Sequence, residues 1–257
     1  MKPSLPRRTA RILTALLAAA SVATSCSGPE PHHIVLMSYN IRNGIGADNV
    51  RDLTRTADVI RRTAPDFVAL QEVDSATRRS EGRFVAAELG RLTGMHARFG
   101  RAIDFEGGGY GVALLSREEP LALRRIPLPG REEARVLLMA EFPECWLCVT
   151  HLSLTDEDQR ASLPLIARAT NSCRKPVLLA GDFNMANAAE VAEGLGARFR
   201  LLSDTTACTF PAGAPTVRID YIAGCALPQG FRLLRSATDQ TTTASDHAPL
   251  WVELAFE

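Results

Sequence analysis

The residues of this chain best suited to chemistry follow apolar runs, at or just after the point where each run ends. They comprise carboxylates, amides and imidazoles, namely Asn40, Glu72, His151, Asp182, Asn184, Asp220, Asp246 and His247. Carboxylate and amide oxygens suit a hard divalent cation such as Mg²⁺ or Mn²⁺. Imidazoles beside such acids suit acid–base work or contact with a phosphate group. The set therefore predicts a metal-dependent site, provided that the fold gathers its members.

Each of these residues also has a purely structural interpretation. Asp246 could cap a turn, His151 could be a satisfied core histidine, and Asn40 and Asn184 could belong to ordinary loops. The number of such coincidences in one chain favours the functional interpretation.

The segment VLLAGDFN, residues 177–184, shows the pattern most clearly. Four apolar residues lead through a glycine to Asp182 and Asn184, with Phe183 between them. Because side chains alternate along a strand, this spacing predicts that Asp182 and Asn184 share one face while Phe183 enters the core.

The elements that must position these residues are a mixture of strands and helices. Apolar runs predict strands over 33–41, 66–74, 110–116, 135–142, 145–154, 177–184, 218–224 and 247–256. Helical spacing predicts helices over 50–64, 83–94, 155–169 and 188–195. Because some strands follow one another directly, we expect mixed sheets and one domain. Strand ends of an α/β domain gather at one edge of a sheet, where distant residues can converge.

The first residues have the pattern of a bacterial export signal. A basic stretch with Lys2, Arg7, Arg8 and Arg11 precedes an apolar run that ends in small residues before Cys26. We expect residues 1–25 to be a lipoprotein-type signal peptide, Cys26 to be lipidated, 26–32 to be a short tether, and 33–257 to be the functional domain. The alternatives are a plain cleaved signal and a retained anchor. We expect a cell-envelope location, as an outer-membrane lipoprotein or a secreted protein.

Charge and cysteine content limit the remaining options. The first 25 residues hold four basic and no acidic residues, so 29 Lys+Arg and 29 Asp+Glu in all leave the remainder with a net charge of −4. This charge argues mildly against a high-affinity nucleic-acid binder. Cys145 and Cys148 form a CxxC within an apolar, strand-like run, which favours core cysteines on opposite faces over a zinc or redox site.

The motifs together resemble a known family. The chain carries, in order, SYNIRNG around Asn40, LQEVD around Glu72, YGVALLS, THLSL around His151, GDFN, RIDYI and SDHAPL. Their order and spacing resemble the endonuclease/exonuclease/phosphatase superfamily, which includes deoxyribonuclease I and the neutral sphingomyelinases, over residues 35 to about 255. The resemblance implies an α/β fold of the deoxyribonuclease I type, a four-layer sandwich of two mixed β-sheets flanked by helices.

The resemblance also implies roles for the site residues. Glu72 is expected to be the main ligand of Mg²⁺ or Mn²⁺, with Asn40 beside it and Asp246 as a further ligand. Asp182 is expected to orient or deprotonate the attacking water, and Asn184 to hold that water or a phosphate oxygen. His247, oriented by Asp220, and His151 are expected to contact phosphate or act as acid–base groups. Tyr110 and Arg135 are weaker candidates for substrate contact. Arg78, Arg79 and Arg83 could form a substrate rim or a solvated surface, and GGGYG (107–111) is interpreted as a flexible rim.

Three functions remain open from the sequence. The first is a metal-dependent phosphoesterase that hydrolyses a small-molecule or lipid-headgroup phosphodiester by in-line water attack, as a monomer tethered to a membrane. The second is an extracellular nuclease acting on DNA or RNA. The third is a catalytically silent binding module, which the complete set of acids and histidines disfavours.

Overall fold

A computed structural model describes Met1 and residues 32–256. The chain divides into Met1–Glu30 and Pro31–Glu257, and all the elements below lie in the second unit. Residues 2–31, which hold the rest of the expected signal peptide, Cys26 and most of the tether, lie outside the described residues. Among the helices of the described part, none is long and apolar enough to cross a membrane.

The elements run in the order of their numbers within each class. The strands are β1 (His32–Asn40), β2 (Phe67–Ser75), β3 (His96–Phe105), β4 (Gly108–Ser116), β5 (Ala122–Leu128), β6 (Arg135–Glu141), β7 (Trp146–His151), β8 (Val177–Asp182), β9 (Arg200–Leu201), β10 (Asp220–Cys225), β11 (Arg232–Thr238) and β12 (Leu250–Phe256). The helices are α1 (Leu53–Thr63), α2 (Val85–Thr93), α3 (Asp156–Ala169) and α4 (Ala188–Leu195), with a short 3₁₀ helix at Arg42–Gly44.

The strands form two six-stranded mixed sheets. The first has the order β11-β12-β1-β2-β4-β3, and the second has the order β5-β6-β7-β8-β10-β9. One apolar core lies between the sheets, a second lies between the first sheet and α1 and α2, and a third lies between the second sheet and α3 and α4. The expected four-layer sandwich is confirmed.

Helix ends follow local side-chain chemistry. Asp52 precedes α1, and its Oδ1 accepts hydrogen bonds from the backbone N–H groups of Thr54 and Arg55 at 2.9 and 3.1 Å. These bonds satisfy donors that a helix start leaves free, so the helix begins at Leu53. The expectation of a helix over 50–64 is wrong at its start, because Val50 lies before this cap and is exposed. α2 ends at Thr93 and is followed by Gly94, which has a φ of +71° and stops the helix as expected.

The strands that the sequence did not reveal lie at or near sheet edges. β3, β5 and β11 carry mostly exposed or half-buried side chains, so they lack the apolar runs of the central strands. The interpretation of GGGYG as a flexible rim is also wrong, because most of it lies in β4. A Cβ at Gly111 would lie 2.2 Å from the carbonyl oxygen of Gly100, so only glycine allows β3 and β4 to pair this closely.

The CxxC residues are core cysteines, as the sequence predicted. Cys145 belongs to the core between the sheets, whereas Cys148 belongs to the core beneath α3 and α4. Both are free thiols, as are Cys173, Cys208 and Cys225. Burial raises the pKa of Cys148, which makes it a packing residue and not a nucleophile.

Candidate active site

The second sheet places three polar side chains together at one edge. β7 and β8 run parallel, and their last residues, His151 and Asp182, lie in register. β10 runs antiparallel to β8, so its first residue, Asp220, pairs with Asp182. Inner positions earlier in these strands carry Val149, Ala180 and Ile222, members of the apolar core between the sheets. Because side chains alternate, the three polar residues form the last layer of that core.

The first sheet brings its own polar residues to the same layer. β1 and β2 run parallel, and Asn40 ends β1 beside the position where β2 carries Glu72. β12 runs antiparallel to β1, so the loop before it, with Asp246 and His247, reaches this edge. Asn40 and His247 are buried.

Glu72 is positioned by an irregularity in β2. Its φ is +57°, in the left-handed region that non-glycine residues rarely adopt. The pairing of β2 with β4 shifts register between Leu70 and Val73, which inserts one extra residue into β2. Such bulges redirect a side chain and are common near functional sites. The backbone strain at Glu72 therefore marks a residue whose direction the fold controls.

Asn40 links the two sheets. Its side-chain Nδ2 donates to Oε1 of Glu72 and to Oδ2 of Asp182, both at 3.0 Å, and lies 3.5 Å from Nε2 of His247. Its Oδ1 accepts the backbone N–H of Arg42 at 3.1 Å, which fixes the amide orientation. The buried amide of Asn40 thus contacts Asp182, which lies 142 positions later in the chain.

His247 is held between two carboxylates. Its Nδ1 lies 3.0 Å from Oδ2 of Asp220, and its Nε2 lies 3.6 Å from Oδ2 of Asp182. Burial alone would lower the pKa of His247, but Asp220, Asp182 and Asp246 outweigh it and raise the pKa to about 10. The ring is therefore an imidazolium at neutral pH in the metal-free protein.

His151 has the opposite electrostatic character. Its Nε2 lies 3.5 Å from Oδ2 of Asp182. Burial lowers its pKa to about 4, more than Asp182 raises it, so the imidazole is neutral at neutral pH. The site thus offers one charged and one neutral imidazole to a substrate.

The placement of Asn184 differs from the sequence argument. β8 ends at Asp182, and Asn184 has a left-handed backbone with φ of +53°, so strand alternation does not explain its position. Its backbone N–H donates to Oδ1 of Asp182 at 2.9 Å, and its Nδ2 donates to the carbonyl of Leu152 at 3.0 Å. A turn after β8 therefore places Asn184 beside Asp182. Phe183 is buried in the core as predicted.

Ser245, in the loop that carries Asp246 and His247, was missed by the sequence analysis. Asp246 is one-third exposed and pairs with Arg42 Nε at 3.5 Å. The Ser245 hydroxyl donates to the carbonyl of Asn40 at 2.7 Å, which ties this loop to β1. Ser245 precedes the Asp-His pair in SDHAPL, but its spacing alone gives no signal for this contact.

Tyr110 and Arg135 lie beside His151 in the wall of a small cavity. Arg135 is buried, and its terminal nitrogens pair with Glu132 and Glu133 at 3.3 and 3.1 Å. The prediction that it contacts substrate stays a prediction, and the two glutamates are functional candidates that the sequence analysis missed.

Arg79 lies in the exposed loop after β2, with 38% of its side chain exposed, but its guanidinium contacts buried groups. It makes two hydrogen bonds of 2.8 Å to Asp74, which is fully buried. Its guanidinium also lies 4.5 Å from the ring centroid of Phe105 and 5.1 Å from that of Tyr110. Arg79 therefore ties the loop after β2 to the hairpin that carries Tyr110.

Comparisons with known proteins identify the family. The model of the endonuclease/exonuclease/phosphatase family matches residues 37–247. The chain belongs to this family. Its members are hydrolases that act on phosphoester bonds.

Solved structures share the fold. A family protein from Beutenbergia cavernae DSM 12333 is 23% identical with a TM-score of 0.67, covering 86% of this chain and 71% of that one. A mannosyl-6-phosphatase from Bacteroides thetaiotaomicron VPI-5482 is 17% identical with a TM-score of 0.69, covering 87% and 100%. TDP2 from D. rerio, complexed with single-strand DNA product, is 19% identical with a TM-score of 0.67, covering 86% and 98%.

The oxygen-rich residues fit the divalent cation on which this family generally depends. Burial raises the pKa of Glu72, and the nearby carboxylates of Asp246 and Asp182 raise it further, which shows that negative charge is crowded here. Hard cations prefer such all-oxygen sets. Asp182, Asp220 and His247 also offer ligand atoms within 4.8 Å of one another. Because His247 Nδ1 is already hydrogen-bonded to Asp220, we favour the oxygen atoms around Glu72 as the cation site.

Proposed function

We propose that the protein is a divalent-metal-dependent phosphoesterase that hydrolyses a small-molecule or lipid-headgroup phosphodiester by in-line attack of water. One observation carries this proposal. Asn40 Nδ2 contacts both Glu72 and Asp182 at 3.0 Å, while His247 joins Asp182 to Asp220, so acids and an imidazole from both sheets form one contiguous cluster.

The residues divide the chemistry between them. Asp182 orients the attacking water and takes its proton, and Asn184, fixed beside it, holds that water or a phosphate oxygen. His247, kept charged by Asp220, faces the phosphate as a proton donor. His151, neutral at working pH, donates a hydrogen bond to a non-bridging oxygen.

Glu72, Asp246 and the remaining lone pair of the Asn40 amide oxygen would hold Mg²⁺ or Mn²⁺. A cation bound there supplies positive charge that stabilises the phosphate oxygens during attack. Asn40 itself fixes the carboxylates of Glu72 and Asp182 relative to each other, because its Nδ2 donates to both.

A small or lipid phosphodiester is favoured over nucleic acid by charge. The chain after residue 25 has a net charge of −4, and Arg135, which lines the cavity beside His151, is paired with two glutamates. We also propose that Cys26 is lipidated and tethers the protein, as a monomer, to a membrane of the cell envelope. The neighbour from B. thetaiotaomicron, named a mannosyl-6-phosphatase, is an example of a phosphatase with this fold.

A nuclease is the second candidate. The exposed Arg78 and Arg83 in the loop after β2 could contact a polynucleotide backbone, and TDP2 has this fold and was solved with a DNA product. A silent binding module is the third candidate and would lack hydrolysis altogether.

The test assays purified protein with Mg²⁺ or Mn²⁺ on bis(p-nitrophenyl) phosphate, sphingomyelin and plasmid DNA in parallel. The variants are His247→Ala and Asp182→Asn, and the matched controls are His96→Ala and Asp104→Asn, both on β3 and exposed. Metal-dependent hydrolysis that is lost only in the first pair supports the proposal, and the preferred substrate separates the first two candidates. Absence of hydrolysis in folded, metal-binding protein refutes the substrate class, and absence of metal binding favours the silent module.

A further inference from the structure

A small cavity beside His151 is not explained by the hydrolytic chemistry. Its walls include Tyr110, Glu133, Arg135 and His151. Its volume is about 10 Å³, which is room for a single water-sized oxygen. His151 also contacts Asp182, so the cavity adjoins the place where the phosphorus would lie.

Arg135, in the wall of this cavity, carries an unused donor. Its side chain is 6% exposed, and its two terminal nitrogens pair with Glu132 and Glu133. The remaining nitrogen, Nε, is buried and has no hydrogen-bond partner among the described residues. A buried N–H without an acceptor is costly, so this donor calls for an oxygen atom from outside the protein.

Glu133 brings acceptors to the same cavity. Its side chain is 28% exposed, and one oxygen pairs with Arg135 at 3.1 Å. A carboxylate has about four lone-pair sites, so acceptor capacity remains after that pairing. Burial raises the pKa of Glu133, which shows that water solvates this carboxylate poorly. The residues in the wall of the cavity therefore carry a free N–H donor and a carboxylate acceptor.

The two groups together select one kind of ligand atom. A phosphate oxygen could accept from Arg135 but would be repelled by Glu133, and an ammonium group could donate to Glu133 but could not accept from Arg135. A hydroxyl oxygen, whether of water or of a substrate that displaces it, can do both, because it has an O–H donor and two acceptor lone pairs. A single oxygen also matches the size of the cavity.

We infer that this cavity is a subsite for a substrate hydroxyl, and that the substrate is a phosphoester of a polyol or sugar. The inference rests on the proposed phosphoesterase function and names its substrate class. Because Arg135 is neutralised by two glutamates, the subsite does not attract a second phosphate, which separates this class from polyphosphates and polynucleotides.

Binding measurements test the inference without requiring turnover. Calorimetry on the full chain with Mg²⁺ compares glycerol 3-phosphate with propyl phosphate, which differ only in two hydroxyl groups. We expect glycerol 3-phosphate to bind about tenfold more tightly, as one hydrogen bond to a charged group would give. Glu133→Gln should reduce this ratio to below about threefold, since the charged acceptor is lost.

The control is Glu141→Gln, at the opposite end of β6, where Glu141 pairs with Lys175. It should keep the ratio of the unsubstituted protein. Equal affinity for the two ligands, failure of both to bind, or an unchanged ratio in Glu133→Gln would each overturn the inference. Hydrolysis of bis(p-nitrophenyl) phosphate is measured separately, so that loss of the hydroxyl subsite and failure of the phosphoesterase proposal are distinguished.

Discussion

His247 and Asp220 form a buried pair in which Nδ1 of the ring lies 3.0 Å from Oδ2 of the carboxylate. The pair orients the ring so that Nε2 points to Asp182 and Asn40. Asp220 opens β10 and His247 lies in the loop before β12, so the contact joins the two sheets. A carboxylate in this position fixes both the tautomer and the charge of an imidazole.

Replacing Asp220 with asparagine should impair catalysis more than folding. The amide keeps the shape of the carboxylate but removes its charge and can favour the wrong ring tautomer of His247. We expect kcat on bis(p-nitrophenyl) phosphate to fall by about 10²–10⁴-fold. The control is Asp104→Asn on the exposed surface of β3, which should retain activity. Activity of Asp220→Asn within threefold of the unsubstituted protein would contradict the orienting role.

The raised pKa of His247 predicts a pH-dependent contribution to stability. Its pKa is about 10 in the folded protein against 6.5 for an unperturbed histidine, so the folded state binds the proton more tightly. This stabilisation is fully present below pH 6.5 and is lost as the pH rises through about 10. The difference in Tm between the unsubstituted protein and His247→Asn, both in EDTA, should therefore shrink between pH 6.5 and 10. A constant difference would show that the folded ring is not held as an imidazolium.

Metal binding should stabilise the protein through Glu72. A ligand that binds only the folded state at 100 times its Kd stabilises it by about 2.7 kcal/mol. We expect Mg²⁺ or Mn²⁺ to raise Tm, and Glu72→Gln to weaken the affinity at least tenfold by calorimetry. The control is Glu106→Gln, which removes an exposed carboxylate at the turn between β3 and β4. If Glu72→Gln bound the metal as tightly as the unsubstituted protein, a different set of oxygens would have to hold the cation.

The sequence predicted the residues that end central strands, because those strands are buried on both faces and read as apolar runs. Asp182 and His151 were found in this way, each at the end of such a run. The short helix near 188–195 was also predicted, and Asn187 caps its start in the structure. Local signals were sufficient in these cases.

Features that depend on a partner strand could not be predicted. The bulge at Glu72 exists only in relation to β4, and the turn at Asn184 depends on the carbonyl of Leu152. Arg135 and Glu133 are close in sequence, but the position of this pair beside His151 is set by the packing of the two sheets. Edge strands such as β11 lack apolar alternation, so their existence depends on neighbours.

The Arg79–Asp74 pair should contribute strongly to stability. Asp74 is fully buried, accepts two hydrogen bonds from Arg79, and also accepts one from Thr77 at 2.7 Å. Arg79→Met removes the cation and leaves the buried carboxylate with insufficient partners. Because Arg79 itself is 38% exposed, we expect a loss of about 2 kcal/mol, below the range for fully buried pairs.

Urea unfolding measures this loss, and Arg83→Met is the matched control in the same loop. Arg83 pairs with Glu81 and Glu88, and about half of its side chain is exposed. Exposed ion pairs contribute little, so this variant should change the unfolding free energy by less than about 0.5 kcal/mol. Equal losses in the two variants would mean that the burial of Asp74 does not determine the effect. Because Arg79 also packs on Tyr110, its loss should raise KM more than it lowers kcat.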